Sequence, residues 1–134
     1  MEPLVVKKPI KGYNGWLITP ISRATILSWF PPKFNNVYVH HITNQFKVLD
    51  TDPFLNEATI VIVGYALNED GIEAVVVSVD GNLYRPDGNI FHCTLSLDLE
   101  KGFSPKDSNK LILNDWQPLD FSINIDTYPH FFRG

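Results

Sequence analysis

Apolar and polar positions alternate along much of this chain with the period of two that a half-buried strand requires, while helical spacing is confined to two short stretches. Gly15 to Thr19 reads as a strand. Ser22, after Pro20, predicts the N-cap of a helix that runs to about Phe30 and is stopped by Pro31-Pro32, with Ile26, Leu27 and Phe30 facing the core. Val37 to Val48 is the next strand. Thr59 to Ala66 and Ile72 to Val79, joined by Asn68-Glu69-Asp70-Gly71, predict a hairpin. Turn residues at Asp80-Gly81-Asn82 and Arg85-Pro86-Asp87-Gly88 precede a strand from Ile90 to Leu97. Ser104-Pro105 opens a second helix to about Leu113, and a last strand covers about Leu119 to Ile125. The order β, α, β, β, β, β, α, β predicts an α+β fold: an antiparallel central sheet with two pseudo-symmetric lobes, a cleft between them and the helices on the outer faces.

Two of the alternating runs carry the same pattern, His41-Ile42-Thr43 and His92-Cys93-Thr94. A His and a Thr two residues apart on a strand present imidazole and hydroxyl side by side on one surface. With seven Thr in 134 residues, two such hits among four His arise by chance in on the order of 1 to 2% of chains. Around the second motif Phe91, Cys93, Leu95 and Leu97 form an apolar core face, leaving His92, Thr94 and Ser96 on the face that can line a cleft. Around the first, Val37, Val39, His41, Thr43 and Gln45 share one face, which makes Gln45 a candidate substrate contact and turns His40 to the opposite face. Imidazole exchanges protons near neutral pH and a hydroxyl can donate to a non-bridging phosphate oxygen, so the pairs point to a phosphate site.

At 134 residues and 44% hydrophobic, the chain is the size of one domain with a core of its own, 1–134, with looser ends expected at 1–10 and 127–134. The net charge of −4 argues against long nucleic acid as a partner but is compatible with a small nucleotide. The basic run Lys7, Lys8 and Lys11 reads as solvated surface, or else as a secondary phosphate-attracting site. The single cysteine, Cys93, excludes an internal disulfide, no apolar stretch is long enough to span a bilayer, and no leader is apparent, so a cytoplasmic protein is expected. His40 and His41 are the only closely spaced metal-ligand types, and their opposite orientation predicts a site with neither metal nor cofactor. Tyr84 and Arg85, in the loop before the second motif, offer stacking and phosphate pairing to a substrate. His130, with Tyr128, Phe131 and Arg133, belongs either to a frayed end or to an aromatic lid of the same chemistry.

Two His-x-Thr strands half a small domain apart resemble the two-histidine (2H) phosphoesterase superfamily. Gly12-Tyr13, Phe30-Pro31-Pro32-Lys33 before His40-His41-Ile42-Thr43, and Gly102 to Asn109 are similar to its Swiss-army-knife RNA-repair-like branch, to which phage anti-CBASS enzymes are related. The resemblance implies a 2H phosphoesterase-like fold in which His41 and His92 are the catalytic pair and Thr43 and Thr94 hold the phosphate; Tyr13 is a further candidate substrate contact beside these four. It implies a metal-independent phosphodiesterase acting on a small nucleotide, cyclic or 2′,3′-cyclic, or on a cyclic oligonucleotide signal, in the host cytoplasm if the gene is phage-borne. An RNA-end-processing 2′,3′-cyclic phosphodiesterase and a non-catalytic nucleotide sponge are the competing readings.

Overall fold

The computed structural model describes residues 8–134, so Lys7 and most of the N-terminal stretch expected to be loose lie outside the described residues. The expected α+β class holds, but the β-structure is divided between two antiparallel sheets rather than forming one. Strands β1 (Lys11–Ile18), β2 (Asn36–Val37), β3 (His41–Leu49), β4 (Ile60–Asn68), β5 (Ile72–Val79), β6 (His92–Leu97), β7 (Gln117–Ile125) and β8 (Thr127–Arg133) accompany helices α1 (Pro20–Trp29) and α2 (Asp107–Asn114). The smaller sheet has the order β3-β1-β8 and the larger β2-β6-β5-β4-β7.

The main core lies between the sheets. Trp16, Ile18 and Ile42 from the smaller sheet pack with Ile60, Ile62, Val75, Val77, Cys93, Leu95, Ile123 and Ile125 from the larger one, and α1 contributes Ile26. The apolar face assigned to Cys93 and Leu95 by alternation is therefore the core face. Ala74 and Val76 point the other way, to a second cluster with Ala66 and Ile112 of α2. β5 is thus covered on both faces, which is why Val75, Val76 and Val77 read as a continuous apolar run.

Local chemistry departs from expectation at three places. Helix α1 begins one turn earlier than Ser22 indicates: Thr19 is the N-cap, accepting from the Ser22 N–H at 3.3 Å, and Pro20 fills the first helical position, where no N–H is needed. Ser22 is instead buried, and its hydroxyl accepts from the Asp126 N–H at 2.7 Å. Helix α2 starts at Asp107, whose carboxylate reaches back to the Ser104 N–H at 2.8 Å. The C-terminal stretch expected to be loose is strand β8, paired with β1 from Gly12↔Arg133 to Ile18↔Thr127. It lies at a sheet edge, where Pro129 costs no ladder hydrogen bond. At the other end Ile10 is pinned too, its N–H donating to Asp50 Oδ1 at 2.9 Å.

Gly15 stands opposite both Thr43 on β3 and His130 on β8. A Cβ there would lie 2.1 Å from the Ile42 carbonyl oxygen, so the close approach of β1 to the first motif requires glycine. Gly15→Ala is expected to cost about 2–3 kcal/mol, the upper range for overpacking, and to lower the melting temperature by several degrees. An unchanged melting temperature would mean that the two strands are not this close.

A buried carboxylate braces the approach to the site. Glu73 on β5 is 1% exposed and accepts hydrogen bonds from Tyr65 Oη at 2.6 Å, from Ser96 Oγ, and from the Lys33 N–H at 2.8 Å. The Phe34 N–H donates to the same Ser96 hydroxyl at 3.2 Å, and Phe30 stacks on Tyr65. The segment after α1 is thereby tied to the larger sheet just before the chain enters β2. Among the described residues no helix is long and apolar enough to cross a membrane.

Candidate functional site

The two motifs meet because one segment of chain belongs to both sheets. Asn36 and Val37 pair with Leu97 and Ser96 of β6, and the Tyr38 and Val39 N–H groups continue the ladder, donating to Leu95 O at 2.8 Å and Thr94 O at 2.9 Å. The chain then leaves β6 and joins β1, where Leu17 stands opposite His41 and Gly15 opposite Thr43. The turning point is Val39, fully buried and at φ 54, a left-handed conformation that a β-branched residue resists by about 1–3 kcal/mol. Core packing and the bond to Thr94 hold it there. The strain fixes the first motif against the backbone of the second.

Ile42 and Cys93 point into the core, so His41, Thr43, His92 and Thr94 all face the other way and line one cleft of about 400 Å³. The four residues expected to act together are brought together. His92 Nδ1 lies 2.7 Å from the Ile90 carbonyl oxygen. A carbonyl only accepts, so Nδ1 carries a hydrogen and Nε2 is the nitrogen left for a ligand. His41 Nδ1 lies 2.9 Å from His40 Nδ1.

The structure overturns the expectation for His40. Alternation would turn it away from His41, but β3 begins only at His41 and the backbone turns at Val39, so both imidazoles line the cleft. Gln45 is corrected as well. Its partner in register is Asn14 while Thr43 pairs with Gly15, which leaves Asn44 as a bulge residue that bonds Asn14 Oδ1 through Nδ2 at 3.0 Å. A bulge reverses the alternation beyond it, so Phe46 enters the cleft and Gln45 is exposed outside it.

Of the loop candidates, Arg85 lines the cleft and Tyr84, 65% exposed, does not. Arg85 is buried, fixed to Asp87 through Nε at 3.1 Å and Nη2 at 2.8 Å, with its guanidinium carbon 5.2 Å from the centre of the Phe46 ring. Tyr13 lines the cleft and stacks on Phe132 of β8 with ring centres 4.7 Å apart. Phe132 also lies 4.7 Å from His41, so the tail backs two of the lining rings, while neither Phe132 nor Tyr128, His130, Phe131 or Arg133 lines the cleft itself. Lys8 and Lys11 are exposed and outside the cleft. Lys106 and Asn109, at the start of α2, form its opposite side. Among the described residues no carboxylate lines the cleft, and no three His, Cys, Asp or Glu side chains converge as ligands of a metal.

Reading the sequence missed Ser108. Its side chain is fully buried, with Oγ 2.7 Å from Thr94 Oγ1. If Ser108 donates, the Thr94 hydrogen is free for a ligand. Ser108→Ala is expected to reduce turnover about tenfold with little change in melting temperature, the size of one aligned hydrogen bond. Unchanged turnover would show that Thr94 needs no such alignment. No sequence signal ties residue 108 to residue 94, since only packing of α2 against the larger sheet joins them.

The chain matches no protein-family model, and no curated protein or solved structure matches it significantly.

Both histidines are held on the neutral side. Burial first, and then the rings of His40, His92 and His130, push His41 down to about 4. Burial also lowers His92, with Arg85 adding to the effect while the hydrogen bond to Ile90 and the charge of Asp87 oppose it. Burial pushes the Cys93 thiol up to about 12, which suits a core side chain and not a nucleophile.

Proposed function

We propose that this cleft is the active site of a metal-independent phosphodiesterase of the two-histidine type, acting on small cyclic or 2′,3′-cyclic nucleotides or on cyclic oligonucleotide signals in the cytoplasm. The observation that carries this reading is the convergence of both His-x-Thr pairs, from two sheets, on one cleft. Its volume of about 400 Å³ lies at the small-ligand end of binding pockets. That size and the charge of −4 favour a small nucleotide over long RNA.

In the proposed reaction Thr43 and Thr94 donate to the non-bridging oxygens of the bound phosphate. His41 is the base, because none of its neighbours favours its charged form, and His92 is the acid, because Asp87 and the Ile90 carbonyl do. On a 3′-5′ linkage His41 Nε2 takes the proton of the ribose 2′-hydroxyl as that oxygen bonds to phosphorus. The bond from phosphorus to the 5′ oxygen breaks, and His92 Nε2–H protonates the departing oxygen. The product is a 2′,3′-cyclic phosphate. On a substrate already cyclised in this way the roles reverse: water attacks phosphorus where the 5′ oxygen left and gives its proton to neutral His92, the bond from phosphorus to the 2′ oxygen breaks, and protonated His41 returns a proton to that oxygen.

The deciding experiment incubates the protein, with EDTA present, with 2′,3′-cyclic mononucleotides, 2′-5′ and 3′-5′ dinucleotides and cyclic di- and trinucleotides, beside His41→Ala and His92→Ala. Hydrolysis of at least one member that both variants lose is expected, and the member cleaved separates signal degradation from RNA-end processing. Tight binding without turnover would replace this reading with a sponge.

A further inference from the structure

The two catalytic imidazoles are held by different kinds of partner. His92 Nδ1 faces a carbonyl, which fixes a single tautomer, whereas His41 Nδ1 faces the Nδ1 of another imidazole at 2.9 Å. Between two such nitrogens there is room for one hydrogen, and which ring carries it decides what His41 can do. If His41 holds it, His41 Nε2 has a lone pair and can take a proton. If His40 holds it, His41 must carry its hydrogen on Nε2 and cannot act as a base.

We infer that His40 is a positioning residue that selects the tautomer of His41, its Nδ1 accepting the His41 Nδ1–H so that Nε2 is free as the base. Three observations support this. His40 is exposed while His41 is largely enclosed, so His40 can keep its own hydrogen on Nε2 and satisfy it with water. The rings meet at 87°, with centres 5.1 Å apart, so they are joined edge on through their nitrogens rather than stacked. Phe132 lies beside both rings, 4.7 Å from His41 and 6.0 Å from His40, and limits their rotation. The strained turn at Val39 gives the backbone its reason, because continuous β alternation would place two adjacent side chains on opposite faces. The inference rests on the proposal that His41 is one of the two proton-transfer groups, yet the tautomer itself can be observed without any substrate.

The test is two-bond proton–nitrogen NMR of the full chain labelled with ¹⁵N-histidine, at a pH where both rings are neutral. In the wild type His41 is expected to carry its hydrogen on Nδ1. In His40→Ala the Nε2–H form should appear beside the Nδ1–H form, with kcat lowered about tenfold and KM unchanged, since only the share of molecules that keeps the hydrogen on Nδ1 retains the base while the binding surface is intact. His40→Asn, whose amide oxygen can occupy the place of Nδ1, should restore both the tautomer and kcat. A wild-type His41 already protonated on Nε2, or the same tautomer in His40→Ala as in the wild type, overturns the inference. A tautomer that behaves as stated while the wild type hydrolyses no nucleotide, or while His41→Ala and His92→Ala hydrolyse them at the wild-type rate, would uphold the tautomer selection by His40 and sink the two-histidine phosphodiesterase reading instead.

Discussion

His41→Ala and His92→Ala are each expected to lower turnover of the cleaved nucleotide by about 10²–10⁴-fold, the range for loss of one positioned proton-transfer group. The two rings line the same cleft from different sheets, and each has its Nδ1 engaged, which leaves Nε2 as the nitrogen for a ligand. Because base and acid act in the same step, the double variant should be hardly slower than the worse single one. Thr43→Ala and Thr94→Ala should cost less, since each removes one hydrogen bond to a phosphate oxygen and leaves both proton transfers in place. Circular dichroism should remain native for all four, because Ile42 and Cys93, not their neighbours, pack the core. A histidine variant that keeps more than a tenth of wild-type turnover would remove that ring from the chemistry.

How far the sequence reaches depends on where the regular period holds. Along β6 it holds from His92 to Leu95, so the core face of Cys93 and Leu95 and the cleft face of His92 and Thr94 follow from alternation alone, while a shift in register against β5 beyond Thr94 takes Ser96 out of the cleft to Glu73. Past the first motif a register shift against β1 coincides with the left-handed Lys47, and around the motif itself the period fails at the left-handed Val39 and at the Asn44 bulge. Neither residue type announces such a conformation, and the two interruptions displace His40 and Gln45 from their expected faces while leaving His41 and Thr43 in place. Strand β8 is hidden for another reason. Thr127 to Arg133 contains a proline and lies near the chain end, and only the open edge of β1 gives it a partner. Division into two sheets is equally invisible locally, because the segment from Asn36 to His41 reads as one strand although its two ends pair with different neighbours. Ser108, Phe46 and Phe132 reach the site through tertiary packing alone.

Acid is expected to weaken the fold through the same rings and to reveal how the site acquires its proton. His41 is neutral in the folded protein down to about pH 4, whereas in the unfolded chain it titrates near 6.5, and His92 is shifted in the same direction. Between those values the unfolded chain binds more protons, so stability falls as pH drops from 6.5 toward 4 and is unaffected by this group above that window. For His41 alone the loss is about 2–3 kcal/mol, allowing for its partial contact with water. Urea denaturation at pH 7.5 and 4.5 should show a gap between the two conditions that narrows by about that amount in His41→Gln; an equal gap in both proteins would contradict the depressed titration of His41. The same neutrality constrains catalysis, because a cleft with both rings neutral at pH 7 has no acid until a ligand arrives. In the proposed reaction a phosphate diester between them brings the negative charge that favours imidazolium, and His92, with the Ile90 carbonyl and Asp87 on its side against Arg85, is the ring expected to gain the proton. Binding of a non-hydrolysable phosphorothioate analogue at pH 7 is therefore expected to take up about one proton, read by calorimetry as a binding enthalpy that varies with the ionisation enthalpy of the buffer. A binding enthalpy identical in every buffer would mean that the ligand enters with both rings neutral, leaving nothing to protonate the departing oxygen and no role for His92 as the acid.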